Sequence, residues 1–252
     1  MSQMRKEKFA GLDVVLTGGS DGQGGGNGPL CVLLHGFGAP GTDLVPLARM
    51  LNVPQDLRFA FPAAPLSLAE ETDEDGGGGD FGFAEARAWW LIDMNKIQRA
   101  LYTGGWREIS REEPEGLTAA REQLSQALDE LQTKLNVPTG QLVLGGFSQG
   151  AMLSMDLALR GSRPLAGLVL WSGTIIAENI WLQSLKNRRG LPILQSHGQQ
   201  DPILPFPVAV SLRDHLLEAG LPTEFLSFHG GHEIPLPVLQ ATSRFLTKAL
   251  AT

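Results

Sequence analysis

A single cysteine, Cys31, stands in 252 residues. An internal disulfide and a cysteine-based zinc site are therefore excluded. Cys31 lies in the apolar run Leu30-Cys31-Val32-Leu33-Leu34 and reads as a buried, inert thiol. No apolar run approaches the length needed to span a bilayer, and residues 1–10 are polar and charged, without the apolar core of a signal peptide. Positive charge is short as well. Twenty Lys and Arg face 27 Asp and Glu, a net charge of −7, which argues against nucleic acid or an anionic membrane as the main partner. With 42% hydrophobic and 19% charged residues, the composition is that of a soluble globular protein, and a cytoplasmic enzyme is the expectation.

Glycine, in contrast, is abundant, with 31 residues. It matters most in Gln141-Leu-Val-Leu-Gly-Gly-Phe-Ser-Gln-Gly-Ala-Met-Leu153, where an apolar strand runs into Gly146-Phe147-Ser148-Gln149-Gly150 and an unbroken helical pattern follows. A serine at the apex of such a turn takes a strained backbone conformation, and its neighbours must lack side chains. Its hydroxyl then sits at a helix N-terminus, where free N–H groups favour negative charge. G-x-S-x-G alone is weak evidence in so glycine-rich a chain. Gly18-Gly19-Ser20-Asp21-Gly22 also matches, but no strand runs into it and no helix follows, so Ser20 reads as loop.

Beyond residue 140, strand and helix patterns alternate four times, which implies an α/β protein with a mostly parallel central sheet and helices on both faces. Reacting groups in such sheets gather beyond the carboxyl ends of the strands. Ser148, Asp201, His232 and Phe37 each fall just past a predicted strand. A serine hydroxyl needs a base within hydrogen-bond reach and an acid to orient that base. His232 is the preferred base and His229 its rival; Asp201, presented by Pro202, is the preferred acid, with Asp93 and Asp156 as alternatives. The N–H groups of Phe37 and Gln149 would hold an oxyanion. His35 reads as a prop for its loop, and His197 as shaping the Asp201 turn. The His229–His232 pair lacks a third metal ligand at a recognisable spacing, so no metal and no cofactor are expected.

Before the elbow, the pattern predicts an edge strand over 9–16, a glycine-rich loop over 18–28, a buried strand over Leu30–Leu34, a helix over 42–51 and a strand over 57–61. The clearest helix is 116–136, where Leu117, Ala120, Leu124, Ala127, Leu128, Leu131 and Leu135 recur at three- and four-residue spacing. The stretch 66–114 has no consistent period and reads as an irregular, lid-like insert in a single domain spanning 1–252. Its acidic, glycine-rich part, 70–80, is expected to be mobile. Trp89, Trp90, Phe81 and Phe83, with Leu204 beyond the Asp201 turn, are expected to line an acyl pocket.

Four motifs in order resemble the phospholipase/carboxylesterase family of alpha/beta hydrolases: Leu33-Leu34-His35-Gly36-Phe37-Gly38, Gly145-Gly146-Phe147-Ser148-Gln149-Gly150-Ala151, His197-Gly-Gln-Gln-Asp201-Pro202-Ile-Leu-Pro205 and Gly231-His232-Glu233-Ile234-Pro235. The resemblance implies the alpha/beta-hydrolase fold. It also implies Ser148 as nucleophile, Asp201 as orienting acid, His232 as general base, and Phe37 with Gln149 as oxyanion hole. It further implies a small-molecule ester or acyl substrate, action without metal, and it permits a homodimer. Ala88-Trp89-Trp90-Leu91-Ile92-Asp93 resembles the family's Ala-Trp-aromatic-Asp segment but carries extra residues before the aspartate. The expected activity is hydrolysis of short- to medium-chain carboxylic esters, with lysophospholipase or acyl-protein thioesterase as the alternative. A non-catalytic binding protein on the same scaffold is the reading from another class.

Overall fold

The computed structural model describes residues 4–71 and 85–251. Its elements run in the order β1 (Arg5–Phe9), β2 (Leu12–Gly19), β3 (Gln23–Gly25), β4 (Leu30–Leu34), α1 (Val45–Ala48), β5 (Arg58–Pro62), β6 (Leu66–Ser67), α2 (Leu68–Glu71), β7 (Arg87–Ala88), α3 (Met94–Thr103), α4 (Trp106–Arg111) and α5 (Leu117–Lys134). There follow β8 (Leu142–Phe147), α6 (Gln149–Arg160), β9 (Gly167–Trp171), α7 (Glu178–Ser184), β10 (Ile193–Gly198), α8 (Phe206–Glu218), β11 (Thr223–Phe228) and α9 (Leu236–Ala249). The main sheet has the order β1-β2-β5-β4-β8-β9-β10-β11, with β3 added beside β2. From β5 through β11 every pairing is parallel, while β2 runs antiparallel to both β1 and β5.

Side-chain alternation along the central strands builds two cores. Leu30, Val32 and Leu34 of β4, Leu142 and Leu144 of β8, and Leu168 and Leu170 of β9 face α5 and α6. Cys31, Leu33, Val143, Val169 and Trp171 face the opposite side, where α1 and α9 contribute Val45, Val238 and Phe245. Strands buried on both faces read as continuous apolar runs, the signature of a parallel sheet under helices. The chain has the alpha/beta-hydrolase fold.

Three expectations require correction. The single edge strand over 9–16 is a hairpin, because Ala10 (φ 46°) and Gly11 (φ 81°) turn the chain between β1 and β2. Both residues have positive φ, as a two-residue hairpin turn demands, but alanine is not a residue that announces it. The described part of the 66–114 insert is not irregular. It carries β6, β7, α3 and α4, and α3 opens on Asp93, whose carboxylate accepts the Lys96 N–H at 2.9 Å, and ends on left-handed Gly104. The stretch expected to be mobile lies, from residue 72 on, outside the described residues, as do Phe81 and Phe83. The predicted 42–51 helix shrinks to the single turn of α1, flanked by further turns.

Candidate active site

Ser148 joins β8 directly to α6 with φ 54° and ψ −117°. Its N–H is held by Trp171 O at 2.8 Å, and its carbonyl takes the N–H groups of Ala151 and Met152. The flanking glycines are steric requirements. A Cβ on Gly146 would lie 2.3 Å from Leu34 O, and one on Gly150 would lie 2.2 Å from the same oxygen. The turn therefore rests on the end of β4 with no room for a methyl group, as the sequence motif implied. At the second match to the motif, Asp21 closes a turn through the N–H groups of Gln23 and Gly25, and no helix follows Ser20.

The loop after β4 reaches over this serine. A Cβ on Gly36 would come 3.3 Å from Ser148 Cβ. His35 anchors the loop. Its Nδ1–H donates to Gly36 O at 2.8 Å, and its Nε2 accepts the Ala64 N–H at 3.0 Å. Burial, aided by the Arg87 charge, lowers the pKa of this imidazole to about 4, so the ring is a neutral strut. Among the described residues, neither the Phe37 N–H nor the Gln149 N–H has an acceptor. These two free donors lie on the two loops that meet at Ser148.

Asp201 and His232 come together from the loops after β10 and β11. Gln199 N–H to Phe228 O and Gln200 N–H to Gly230 O, at 2.8 and 2.9 Å, zip the two loops. One Asp201 carboxylate oxygen accepts the N–H groups of Ile203 and Leu204, each at 2.9 Å, and the other accepts His232 Nδ1–H at 2.6 Å. Burial works to raise the Asp201 pKa, but the His232 hydrogen bond and the backbone donors outweigh it and leave the pKa below its ordinary value. A carboxylate only accepts, so the proton of His232 sits on Nδ1 and Nε2 keeps a free lone pair. The His232 ring packs on Phe147, the residue before the serine, with centroids 4.7 Å apart.

The competing candidates sit elsewhere. Asp156 is buried in α6, bound to Arg121 and to the Trp181 indole, each at 2.9 Å. Asp93 caps α3. His229 is exposed, and His215 lies on α8 with Glu218 4.0 Å away. His197 is buried, and its Nε2–H donates to Leu204 O at 2.8 Å, shaping the Asp201 turn. Among the described residues, no group of three or more His, Cys, Asp or Glu could hold a metal ion.

A cavity of about 750 Å³ opens beside these loops. Met152, one turn along α6, and Leu204, just past Asp201, form its near wall; Trp90, Ile97, Trp106 and Ile176 are among its other apolar residues. Of the residues expected to line an acyl pocket, Trp90 and Leu204 line this cavity. Trp89 does not: it is buried in the core, and its indole N–H donates to His35 O at 3.0 Å. Ile97 and Ile109 escaped sequence reading because α3 and α4 did. The Asp93 cap and Gly104 were the available signals.

A strained serine between a parallel strand and a helix, an Asp–His pair on the neighbouring loops, and two unpaired backbone donors define a serine hydrolase on an alpha/beta scaffold. Residues 103–250 match the phospholipase/carboxylesterase family model, and the chain belongs to that family. It is similar to acyl-protein thioesterase 1 of Eremothecium gossypii, 26% identical over 223 residues and 85% of each chain. It is also similar to acyl-protein thioesterase 1 of Neurospora crassa, 30% identical over 118 residues, 45% of this chain and 48% of that one. Among solved structures, esterase PE8 superposes with a TM-score of 0.74 at 26% identity, covering 95% of this chain and 99% of that one. A carboxylesterase from Mesorhizobium loti gives 0.71 at 18% identity, over 96% and 98%. Among the described residues, no helix is long and apolar enough to cross a membrane.

Proposed function

We propose that this enzyme hydrolyses short- to medium-chain carboxylic esters through an acyl-enzyme, with Ser148 as nucleophile, His232 as general base and Asp201 as its orienting acid. The observation that carries the reading is the 2.6 Å bond from His232 to a buried, ionised Asp201 beside the strained Ser148 turn. Ser148 Oγ attacks the ester carbonyl carbon, and its proton passes to His232 Nε2. The carbonyl oxygen becomes an oxyanion held by the N–H groups of Phe37 and Gln149, each such donor typically giving about 3 kcal/mol of transition-state stabilisation. The tetrahedral intermediate collapses, His232 returns the proton to the leaving alcohol, and water repeats the sequence on the acyl-enzyme. Asp201 stays ionised throughout and fixes the imidazole tautomer. Trp90 and Leu204 contact the acyl group.

The second reading, an acyl-protein thioesterase or lysophospholipase, uses the same chemistry. The size and apolar lining of the 750 Å³ cavity favour it, as do the names of the curated relatives. Comparing kcat/KM for a short aryl ester with that for a long-chain acyl thioester separates the two. A preference for the short ester is expected, and the reverse order would assign the enzyme to the second reading. No turnover of either, with no fluorophosphonate labelling, would leave a binding protein on a hydrolase scaffold.

A further inference from the structure

The two proposed oxyanion donors stand on unrelated loops, yet they must converge on one oxygen atom. The two loops pack against each other, where a Cβ on Gly36 would come 3.3 Å from Ser148 Cβ and one on Gly150 would come 2.7 Å from His35 O. A third segment, residues 87–90, is hydrogen-bonded to both. On one side, Trp89 N–H donates to Gln149 Oε1 at 2.9 Å, and Gln149 Nε2–H donates to Trp90 O at 2.8 Å. The Gln149 side chain is 1% exposed, so the same residue offers its main-chain N–H to the site and uses its carboxamide as an internal clamp. On the other side, the Trp89 indole N–H donates to His35 O at 3.0 Å, Gly38 N–H donates to Arg87 O at 2.9 Å, and Arg87 N–H donates to Ala39 O at 3.2 Å. Phe37 lies between these anchors. Trp89 itself is 1% exposed, and its ring centroid is 5.6 Å from that of His35.

We infer that residues 87–90 form a brace that sets the spacing of the Phe37 and Gln149 N–H groups, with Trp89 and the Gln149 carboxamide as its positioning residues. The inference rests on the serine-esterase reading above. It gives this part of the 66–114 insert a role in transition-state stabilisation that is separate from lining the cavity. A primary amide is the group that fits: it accepts from one peptide N–H and donates to the next carbonyl. An apolar side chain of equal length leaves both buried peptide groups unpaired.

The test uses Trp89→Phe, which keeps a ring and removes one N–H, and Gln149→Met, which keeps chain length and removes both bonds. For each, kcat and KM are measured with a short aryl ester, together with the affinity of an aryl trifluoromethyl ketone that adds to the serine as an oxyanion. Thermal melts establish that each variant is folded. Loss of a whole oxyanion donor costs about 100- to 1,000-fold in kcat, so displacement of a donor should cost about 10- to 100-fold. The expected pattern is that loss in kcat, KM within about twofold of wild type, and ketone affinity falling in parallel with kcat/KM. Should Gln149→Met fail to fold, Trp89→Phe alone decides. Wild-type kcat and ketone affinity in folded Trp89→Phe, or a change confined to KM, would overturn the brace. Ser148→Ala, assayed alongside, separates the two claims: if it is inactive while Trp89→Phe is unimpaired, the brace alone fails, and if it is active, the esterase reading fails first.

Discussion

Stability should fall on mild acidification in a way traceable to His35. Its Nε2 accepts the Ala64 N–H, and its Nδ1 donates to Gly36 O. A second ring proton would set one N–H against another in a site without solvent. Burial lowers the pKa from 6.5 to about 4. Between those values the unfolded chain takes up a proton that the folded protein does not, so stability rises with pH across the window and is lost as pH falls through it. At about 1.4 kcal/mol per pH unit, the full difference is on the order of 3 kcal/mol, of which about 2 is gone by pH 5. The buried His197, whose pKa burial also lowers, acts with the same sign. Urea denaturation of wild type and His35→Gln at pH 7.5 and pH 5 isolates the first contribution. The variant starts less stable, and its loss between the two pH values should be smaller than that of wild type by about 2 kcal/mol. Equal losses in the two proteins would refute the neutral-strut assignment.

Four further outcomes are expected. Ser148→Ala should lower turnover on the order of a million-fold with an unchanged melting profile, read by ester hydrolysis and calorimetry. Asp201→Asn should lower kcat on the order of ten thousand-fold, because an amide no longer fixes the imidazole tautomer, and steady-state kinetics check it. Gly150→Ala puts a methyl group 2.2 Å from Leu34 O, so the elbow must lift off β4, with a loss of about 3 kcal/mol in chemical denaturation and of most activity. Arg58→Met should destabilise by about 3 to 5 kcal/mol, read from denaturation midpoints, because the carbonyls of Gly26, Gly28 and Leu135 lose a buried cationic donor.

Local signals were strongest where an element's reason for existing lies within its own residues. β4 was legible to the residue, since its apolar run is bounded by turn residues. The elbow was legible because its glycines answer a steric demand made by the serine two positions away. The order of Ser148, Asp201 and His232 along a parallel sheet pointed to a common rim before any coordinates. Features that depend on a distant partner were not legible. Nothing in the strand pattern over 57–61 singles out Arg58, yet its guanidinium is buried on the carbonyls of Gly26, Gly28 and Leu135. Gln149 reads as the residue after the nucleophile, and only folding reveals that its carboxamide holds Trp89 and Trp90. α3 has a short apolar stripe that becomes a face only against the cavity it closes. Trp89 shows the same limit: aromatic character marked it for burial, but only tertiary packing decides between pocket and core.

The most direct measurement is site identification by mass spectrometry after a fluorophosphonate reacts with the folded enzyme. A single adduct on Ser148 is predicted, lost in urea and slowed strongly in His232→Ala. An adduct on another residue, or labelling of Ser148 that is indifferent to His232, would contradict the assignment of this serine and this histidine to one reacting pair.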